Sequence, residues 1–250
     1  MDMITKKVKD LLLDKMKIVK QVGKSDICVV GPVTLPVQLD DKVVTFNWYT
    51  WLKVEGEMEK EEVLESLSHS SLADLQQSSV LVYGDFEHGE NALIRMHSIC
   101  HTGDIFGSKR CDCGFQLRES MRMIVSNGCG ALFYLANHEG RGIGLFTKSL
   151  AYILQQEGFD TVEANHELGF EDDVRSYEDA IRVLSELRAK SVTLITNNPK
   201  KLAALQESGL LADRHISLWG DISVYNKHYL ATKVEKSGHI PVKEEVTSRL

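Results

Sequence analysis

A mixed α/β (α+β) fold, with one core and an N-terminal extension, is what this sequence predicts, on three observations. From Val80 to Ser208, short runs rich in β-branched residues alternate with segments of helical period. No internal repeat and no clear second domain boundary interrupts that alternation. A chain of 250 residues, 43% hydrophobic and 26% charged, can bury one substantial core. The expected organisation is an extension over 1–79 (a helix, strands and an acidic insertion), a core over 80–240, and a tail over 241–250.

Residues 1–22 intersperse lysines with Ile4, Val8, Leu11, Leu12 and Met16 at near-helical spacing, which predicts an amphipathic helix packed on the body or on a partner subunit. The β-branched and aromatic runs at 28–37 and 43–52 read as strands. A glutamate-rich, then serine-rich stretch over 54–79 reads as a solvated helix and loop. Strands follow at 80–83 and 92–96, then a helix with Leu117, Met121, Ile124 and Val125 on one face, ended by Asn127-Gly128. After a strand at 131–135 and a glycine-rich turn, a helix carries Phe146, Leu150, Ile153 and Leu154 on one face, with Tyr152 on its polar side. The next helix carries Val174, Tyr177, Ile181 and Leu184, and Ser176-x-x-Asp179 resembles a capping box that starts it after Ser176. A strand at 191–195 and a helix from Pro199 to about Ser208 complete the readable pattern.

The net charge of −7 argues against a non-specific nucleic-acid binder, which would show a basic excess. No apolar run has the length of a membrane span, and Met1-Asp-Met-Ile-Thr-Lys-Lys lacks the apolar segment of a signal peptide, so a cytoplasmic location is expected. Five cysteines, an odd number and mostly clustered, suit reduced thiols and a metal better than a disulfide framework. Cys28 and Cys129, in apolar or glycine-rich surroundings, read as structural.

Cys100, Cys111 and Cys113 fall within one short segment. Three thiolates are one ligand short of a closed tetrahedral zinc site, and a catalytic zinc keeps such a position open for water. Free cysteines are often core residues, but Lys109, Arg110 and Asp112 around the Cys-x-Cys suggest an exposed turn. Either His97 or His101 could close the shell, but a lone nearby histidine is more often simply a polar residue, so the fourth position is expected to hold water.

Thr196-Asn-Asn-Pro-Lys-Lys201 joins a strand to a helix, with Asn198 a natural N-cap and Pro199 at the first helical position. Lysines inside a helix N-terminus oppose the dipole, and a bound anion would reverse that penalty. They could also simply face solvent. His138-Glu-Gly-Arg-Gly-Ile-Gly144 is a second glycine-rich turn before a helix, but it fits neither the P-loop nor the dinucleotide fingerprint. Glu139 and Arg141 there could pair with each other or contact a ligand. Asp173 and Arg175 would stand in a loop, free to face a cleft or to form a surface ion pair.

Together these segments resemble the GTP cyclohydrolase II family. The stretches that carry the resemblance are Arg95-x-His-Ser-x-Cys-x-Thr-Gly-Asp, Gly107-Ser-x-Arg-Cys-Asp-Cys-Gly-Phe-Gln116, Glu139-Gly-Arg-Gly-Ile-Gly-Leu, Asp160-Thr-Val-Glu-Ala-Asn-His-x-Leu-Gly-Phe170 and Thr196-Asn-Asn-Pro-Lys-Lys. His228-Tyr-Leu-x-Thr-Lys and Gly238-His also fit. The resemblance covers about Val80 to Ile240.

It implies a zinc-dependent hydrolase acting on a cyclic amidine. The guanine imidazole ring of GTP would be opened, formate and pyrophosphate released, and a phosphoribosylamino-substituted diaminopyrimidinone formed for riboflavin synthesis. It implies Cys100, Cys111 and Cys113 as ligands of one zinc per chain, and Arg95, His97, Ser98, Gln116, Glu139, Gly140, Arg141, Thr161, Thr196 and Lys201 as nucleotide contacts. Asp173 would be the proton acceptor, Arg175 the nucleophile on the α-phosphorus, and Tyr152 a residue that completes ring opening. Magnesium at the triphosphate and a homodimer are implied as well.

A guanidinium stays charged in water, so stabilisation of the leaving pyrophosphate is an alternative role for Arg175. Ile99 stands where the family usually has glutamate, Asn137-His138 replaces the usual Arg-Gln, and Ser176 the usual aspartate. Those departures keep open a sibling zinc cyclohydrolase acting on another base, such as a pyrimidine nucleotide, and a silent nucleotide-binding zinc protein. Zinc nucleobase deaminases are disfavoured, because their His-x-Glu followed by Pro-Cys-x-x-Cys does not occur.

Overall fold

A computed structural model describes residues 5–241. The expected tail over 241–250 lies outside these residues but for Pro241, as does the start of the N-terminal segment. A single eight-stranded sheet runs in the order β1-β2-β3-β4-β6-β5-β7-β8. Its strands are β1 (Met16–Val19), β2 (Asp26–Leu39), β3 (Lys42–Val54), β4 (Ser79–Tyr83), β5 (Leu93–Ser98), β6 (Gly130–Leu135), β7 (Val192–Ile195) and β8 (Leu211–Ile216). The first four strands and β6 pair antiparallel, whereas β6, β5, β7 and β8 run parallel. β2 and β3 are the strands expected from their β-branched runs, extended into a long hairpin that turns at Asp40, which has φ 54°. Residues 16–54 thus supply strands to the same sheet as the core.

Among the described residues eight α-helices accompany the sheet: α1 (Lys6–Asp14), α2 (Lys60–Ser66), α3 (Cys113–Asn127), α4 (Leu145–Gln156), α5 (Thr161–Glu167), α6 (Glu178–Leu187), α7 (Pro199–Glu207) and α8 (Lys227–Glu235). One face of the sheet buries Ile94, Met96, Phe133 and Leu135 against Val183 and Leu184 of α6 and Leu205 of α7. The other buries Leu93 and Leu132 against Met121 and Ile124 of α3. This alternation along β5 and β6 is what a strand covered on both faces requires.

Several expectations change. The N-terminal helix stops at Asp14, because Met16 to Val19 pair with β2; Val8, Leu11 and Leu12 stay exposed. Val174 lies outside α6 and is exposed, and the helix starts one residue later than its Ser-x-x-Asp signal, with Tyr177 at the N-cap and no side-chain cap bond. α5, β8 and α8 were not anticipated. α5 carries its own signal, a capping box in which Asp160 accepts from the Val162 and Glu163 amides and Glu163 reaches back to Asp160 N–H. The stop at Asn127-Gly128 and the Asn198 cap with Pro199 form as expected, with Gly128 at φ 81°.

α4 is turned the other way from an ordinary surface helix. Lys148 and Ala151 are its buried residues, while Phe146 is 79% exposed and Ile153 57%. Its polar side faces a cleft in the protein, and its apolar stripe faces solvent.

Candidate active site

Strands β5, β6 and β7 all end at one cleft. Ser98 leads into the Cys100 segment, Leu135 into the glycine-rich turn and Ile195 into Thr196. A crevice at the carboxyl ends of parallel strands is where open α/β sheets bind ligands. The cleft, counted with the open solvent at its mouth, spans about 1120 Å³.

At one end stand the cysteines. Their three Sγ atoms lie within 4.8 Å of one another, with Cys100 and Cys111 only 3.6 Å apart. The expected exposed turn is corrected: Cys100 and Cys111 are buried, because a π-helical turn over His101–Ile105 folds against them. Gly103 in that turn permits the approach, since a Cβ there would lie 2.9 Å from Cys111 Sγ and 3.1 Å from Cys100 Sγ. Cys111 and Cys113 share hydrogen bonds with Cys100 and lower its pKa, while that sharing pushes Cys111 up to about 11. Three thiols this close cannot all ionise without a cation, so the donor set fits zinc.

Neither histidine closes the shell. His97 Nε2 pairs with Asp104 Oδ2 at 3.0 Å and its ring stacks on Tyr134; His101 sets its ring edge-on to Phe106. Among the described residues, no other His, Cys, Asp or Glu joins the three sulfurs in a cluster.

At the other end is positive charge. Arg95, Lys201 and Arg175 line the cleft with Arg141 and Lys233. Lys201 is buried and donates to Met96 O at 2.7 Å; burial first, then Arg95, Arg175 and Lys233, push its pKa well below the usual lysine value. Of the two lysines at this helix start only Lys201 enters the cleft, while Lys200 stays exposed, 3.7 Å from Asp173. Arg175 is gripped by Asp173, Nε to Oδ1 and Nη2 to Oδ2, both at 2.7 Å. Burial would raise the Asp173 pKa, but Arg175 outweighs it and holds the carboxyl at about 2.

Between the two ends runs the glycine-rich turn. Glu139 and Arg141 do not pair with each other. Glu139 accepts from His101 N–H at 2.7 Å and Lys148 Nζ at 2.6 Å, and Arg141 binds Asp172. Arg141 sits at φ 65°, a left-handed conformation that non-glycine residues seldom adopt and that clusters at functional sites. Tyr152 lies on the polar side of α4, its hydroxyl 3.3 Å from Thr102 Oγ1 and its ring under the Arg110 guanidinium at 4.1 Å.

Of the residues singled out in the sequence, Arg95, His97, Ser98, Gln116, Glu139, Gly140, Arg141, Tyr152, Thr161, Arg175, Thr196 and Lys201 line the cleft with the cysteines. Asp173 does not line it; it stands behind Arg175. Of the departures, Ile99 lines the cleft, whereas Asn137 is exposed and opens onto a separate depression beside Gln76 and Ser78.

Sequence reasoning missed Lys148, whose Nζ is 3.3 Å from Cys100 Sγ; its place four residues before Tyr152 is the signal that would have found it. Also missed were the roles of Trp219, Tyr229, Lys233 and His239, which wall the cleft. Lys233 reaches Asp112 Oδ1 at 3.1 Å, Asp112 Oδ2 accepts from Gln116 at 2.6 Å, and Gln116 accepts from Arg95. One buried chain of charges and amides therefore ties α8 to the start of α3 and to β5.

The GTP cyclohydrolase II family model matches residues 55–216. The chain belongs to the GTP cyclohydrolase II family. Riboflavin biosynthesis protein RibBA of Bacillus cereus (strain B4264) is 47% identical over 175 residues, 70% of this chain and 44% of that protein. RibBA of Chlorobium phaeovibrioides is 47% identical over 174 residues, 70% of this chain and 42% of that protein. The chain thus spans under half the length of the curated relatives it matches. The GTP cyclohydrolase II match takes in the cysteines, the glycine-rich turn and the Thr196–Lys201 helix start, and stops before the α8 wall.

Proposed function

We propose that this chain is a GTP cyclohydrolase II that opens the imidazole ring of GTP, releases formate and pyrophosphate, and leaves a phosphoribosylamino-substituted diaminopyrimidinone for riboflavin synthesis. One observation carries the reading: a cleft with a three-thiol cradle at one end and converging buried cations at the other. That arrangement suits a nucleotide with the base at the thiols and the phosphates at Arg141, Arg175 and Lys201.

Cys100, Cys111 and Cys113 would hold one zinc, which when bound supplies an activated water near neutral pH. Lys148 holds Cys100 and Glu139 together, and so fixes the turn against the cradle. The Tyr152 hydroxyl, on Thr102 beside Cys100, would pass a proton as formate leaves. One water is consumed at each bond broken: the ring bond, the formamide and the phosphoanhydride.

At the phosphate end burial would lower the Arg175 pKa, but Tyr177 and then Asp173 outweigh it and Arg175 keeps its charge. It acts by stabilising charge on the departing pyrophosphate rather than as a nucleophile. With the carboxyl held at about 2, Asp173 accepts a proton poorly while it grips Arg175. Among the described residues no group of three or more carboxylates gathers at the cleft; magnesium would sit on the phosphates themselves.

A homodimer belongs to the same reading, since the solvent-facing stripe of Phe146, Leu150 and Ile153 on α4 suits a subunit interface. No helix among the described residues is long and apolar enough to cross a membrane.

Zinc-loaded protein incubated with GTP should release formate and pyrophosphate in equal amounts. Ile99 on the cleft wall favours one second reading, a cyclohydrolase for a different base; formate from another nucleotide but not from GTP would establish it. Binding without turnover of any nucleotide would overturn both.

A further inference from the structure

His138 is buried, yet no contact of the proposed chemistry requires it. Its Nε2 lies 2.9 Å from the carbonyl oxygen of Ser176, and its Nδ1 lies 3.1 Å from Ser98 Oγ. A carbonyl oxygen only accepts, so Nε2 carries the hydrogen. In a neutral imidazole Nδ1 is then the acceptor, and the Ser98 hydroxyl must donate to it. That fixes the Ser98 rotor: its lone pairs turn to the guanidinium, and Arg175 Nη1 donates to Ser98 Oγ at 3.1 Å. The relay runs from the Ser176 carbonyl through His138 and Ser98 to Arg175, whose other nitrogens are held by Asp173. The ring of His138 is itself locked edge-on to Tyr177, centroids 5.1 Å apart.

We propose that His138 is a positioning residue for Arg175: by fixing the Ser98 hydroxyl as an acceptor, it sets the orientation in which the guanidinium meets the phosphates. The Arg175 side chain is held from both sides, a carboxylate on one and an oriented hydroxyl on the other. An ionised histidine would donate from both nitrogens and reverse the Ser98 hydroxyl, so the relay needs the neutral ring. A glutamine side chain presents one donor and one acceptor at similar separation and would reproduce both bonds. Leucine fills the volume and makes neither. The catalytic part of this assignment rests on the proposed phosphate role of Arg175; the tautomer and the held guanidinium do not.

Two measurements test it. In 15N-histidine spectra of the intact protein at neutral pH, His138 should be the Nε2–H tautomer, and in 15N-arginine spectra the Arg175 Nη1–H, which Ser98 accepts, should exchange faster in H138L but not in H138Q. An Nδ1–H or doubly protonated His138, or unchanged Arg175 exchange in H138L, would overturn the relay whatever the protein's activity. In turnover, H138L should lower kcat for pyrophosphate release about tenfold with KM changed less than about threefold, and H138Q should restore it. H138L with wild-type kcat, or H138Q as impaired as H138L, would overturn the positioning role. Wild-type protein that turns over no nucleotide would instead overturn the functional reading, and the spectra would still decide the relay.

Discussion

Lys148 Nζ lies 3.3 Å from Cys100 Sγ, and burial, which alone would lower the pKa of this lysine, is outweighed by Cys100, Tyr152 and Glu139. The pair stabilises a thiolate before any metal arrives. Groups that hold a metal ligand from behind typically change affinity by about 10–100-fold. Lys148→Met should therefore weaken zinc binding by about tenfold or more, measured by competition with a chromogenic chelator. Unaltered affinity would show that the cysteines need no cation behind them.

Cys111→Ser should lose zinc and turnover together. The fold should survive in the far-ultraviolet circular dichroism spectrum, because the sulfurs sit at the edge of a sheet whose core is made elsewhere. Metal analysis and formate release decide this; a serine variant with full zinc and full activity refutes the ligand assignment. Treatment with a strong chelator should have the same effect, reversed by adding zinc.

Among the described residues Lys201 makes no ion pair of its own, and its pKa is depressed by burial first and then by Arg95, Arg175 and Lys233. A lysine whose folded pKa is lowered makes stability rise with pH between that value and its unfolded value of about 10.4. A bound triphosphate should restore the charge, so nucleotide binding in that alkaline window should take up protons. Calorimetry in buffers of different ionisation enthalpy would detect the uptake, and Lys201→Met should abolish it. The variant should also bind GTP about ten- to a hundredfold more weakly while losing none of its resistance to heat.

Acid should destabilise the protein well before its carboxylates titrate. Burial and then Arg175 depress His138 to about 3, and burial and then Lys233 depress His239 to about 3. An unfolded histidine protonates near 6.5. Below that pH the unfolded chain binds protons that the native one refuses, so stability is complete above about 6.5 and declines towards 3. The slope for His138 is on the order of 1 kcal/mol per pH unit, and smaller for the half-buried His239. Guanidinium unfolding across this interval measures it; H138Q should flatten the curve, and an unchanged slope would contradict the depressed value.

If the α4 stripe is a subunit interface, Phe146→Glu should convert dimers to monomers in light scattering. A monomeric wild-type protein would remove the stripe from that role.

Residue type and spacing made some of this site legible and left other parts dark. The cysteines could be read because ligand chemistry resides in the side chain itself. Tyr152 could be placed on the polar side of its helix because helical period assigns faces. Period does not say which face is inside, so α4 came out with its apolar stripe in solvent and Lys148 in the cleft. α8 has little contrast between its faces, and Lys233 there pairs with Asp112 from 121 positions away. No local signal announces a partner that distant. The start of α6 moved because the Ser176 hydroxyl accepts only weakly from Glu178 N–H, at 3.4 Å, while the backbone carbonyl of Ser176 is taken by His138.

The bond from Lys233 to Asp112 also sets an order in time. A chain leaving the ribosome presents the thiol cradle, the glycine-rich turn and Lys201 long before α8 has been made. Until α8 docks, Asp112 lacks its cation and the cleft lacks the wall of Tyr229 and Lys233. The thiol cradle can therefore form early, whereas the cleft wall is complete only once α8 has docked.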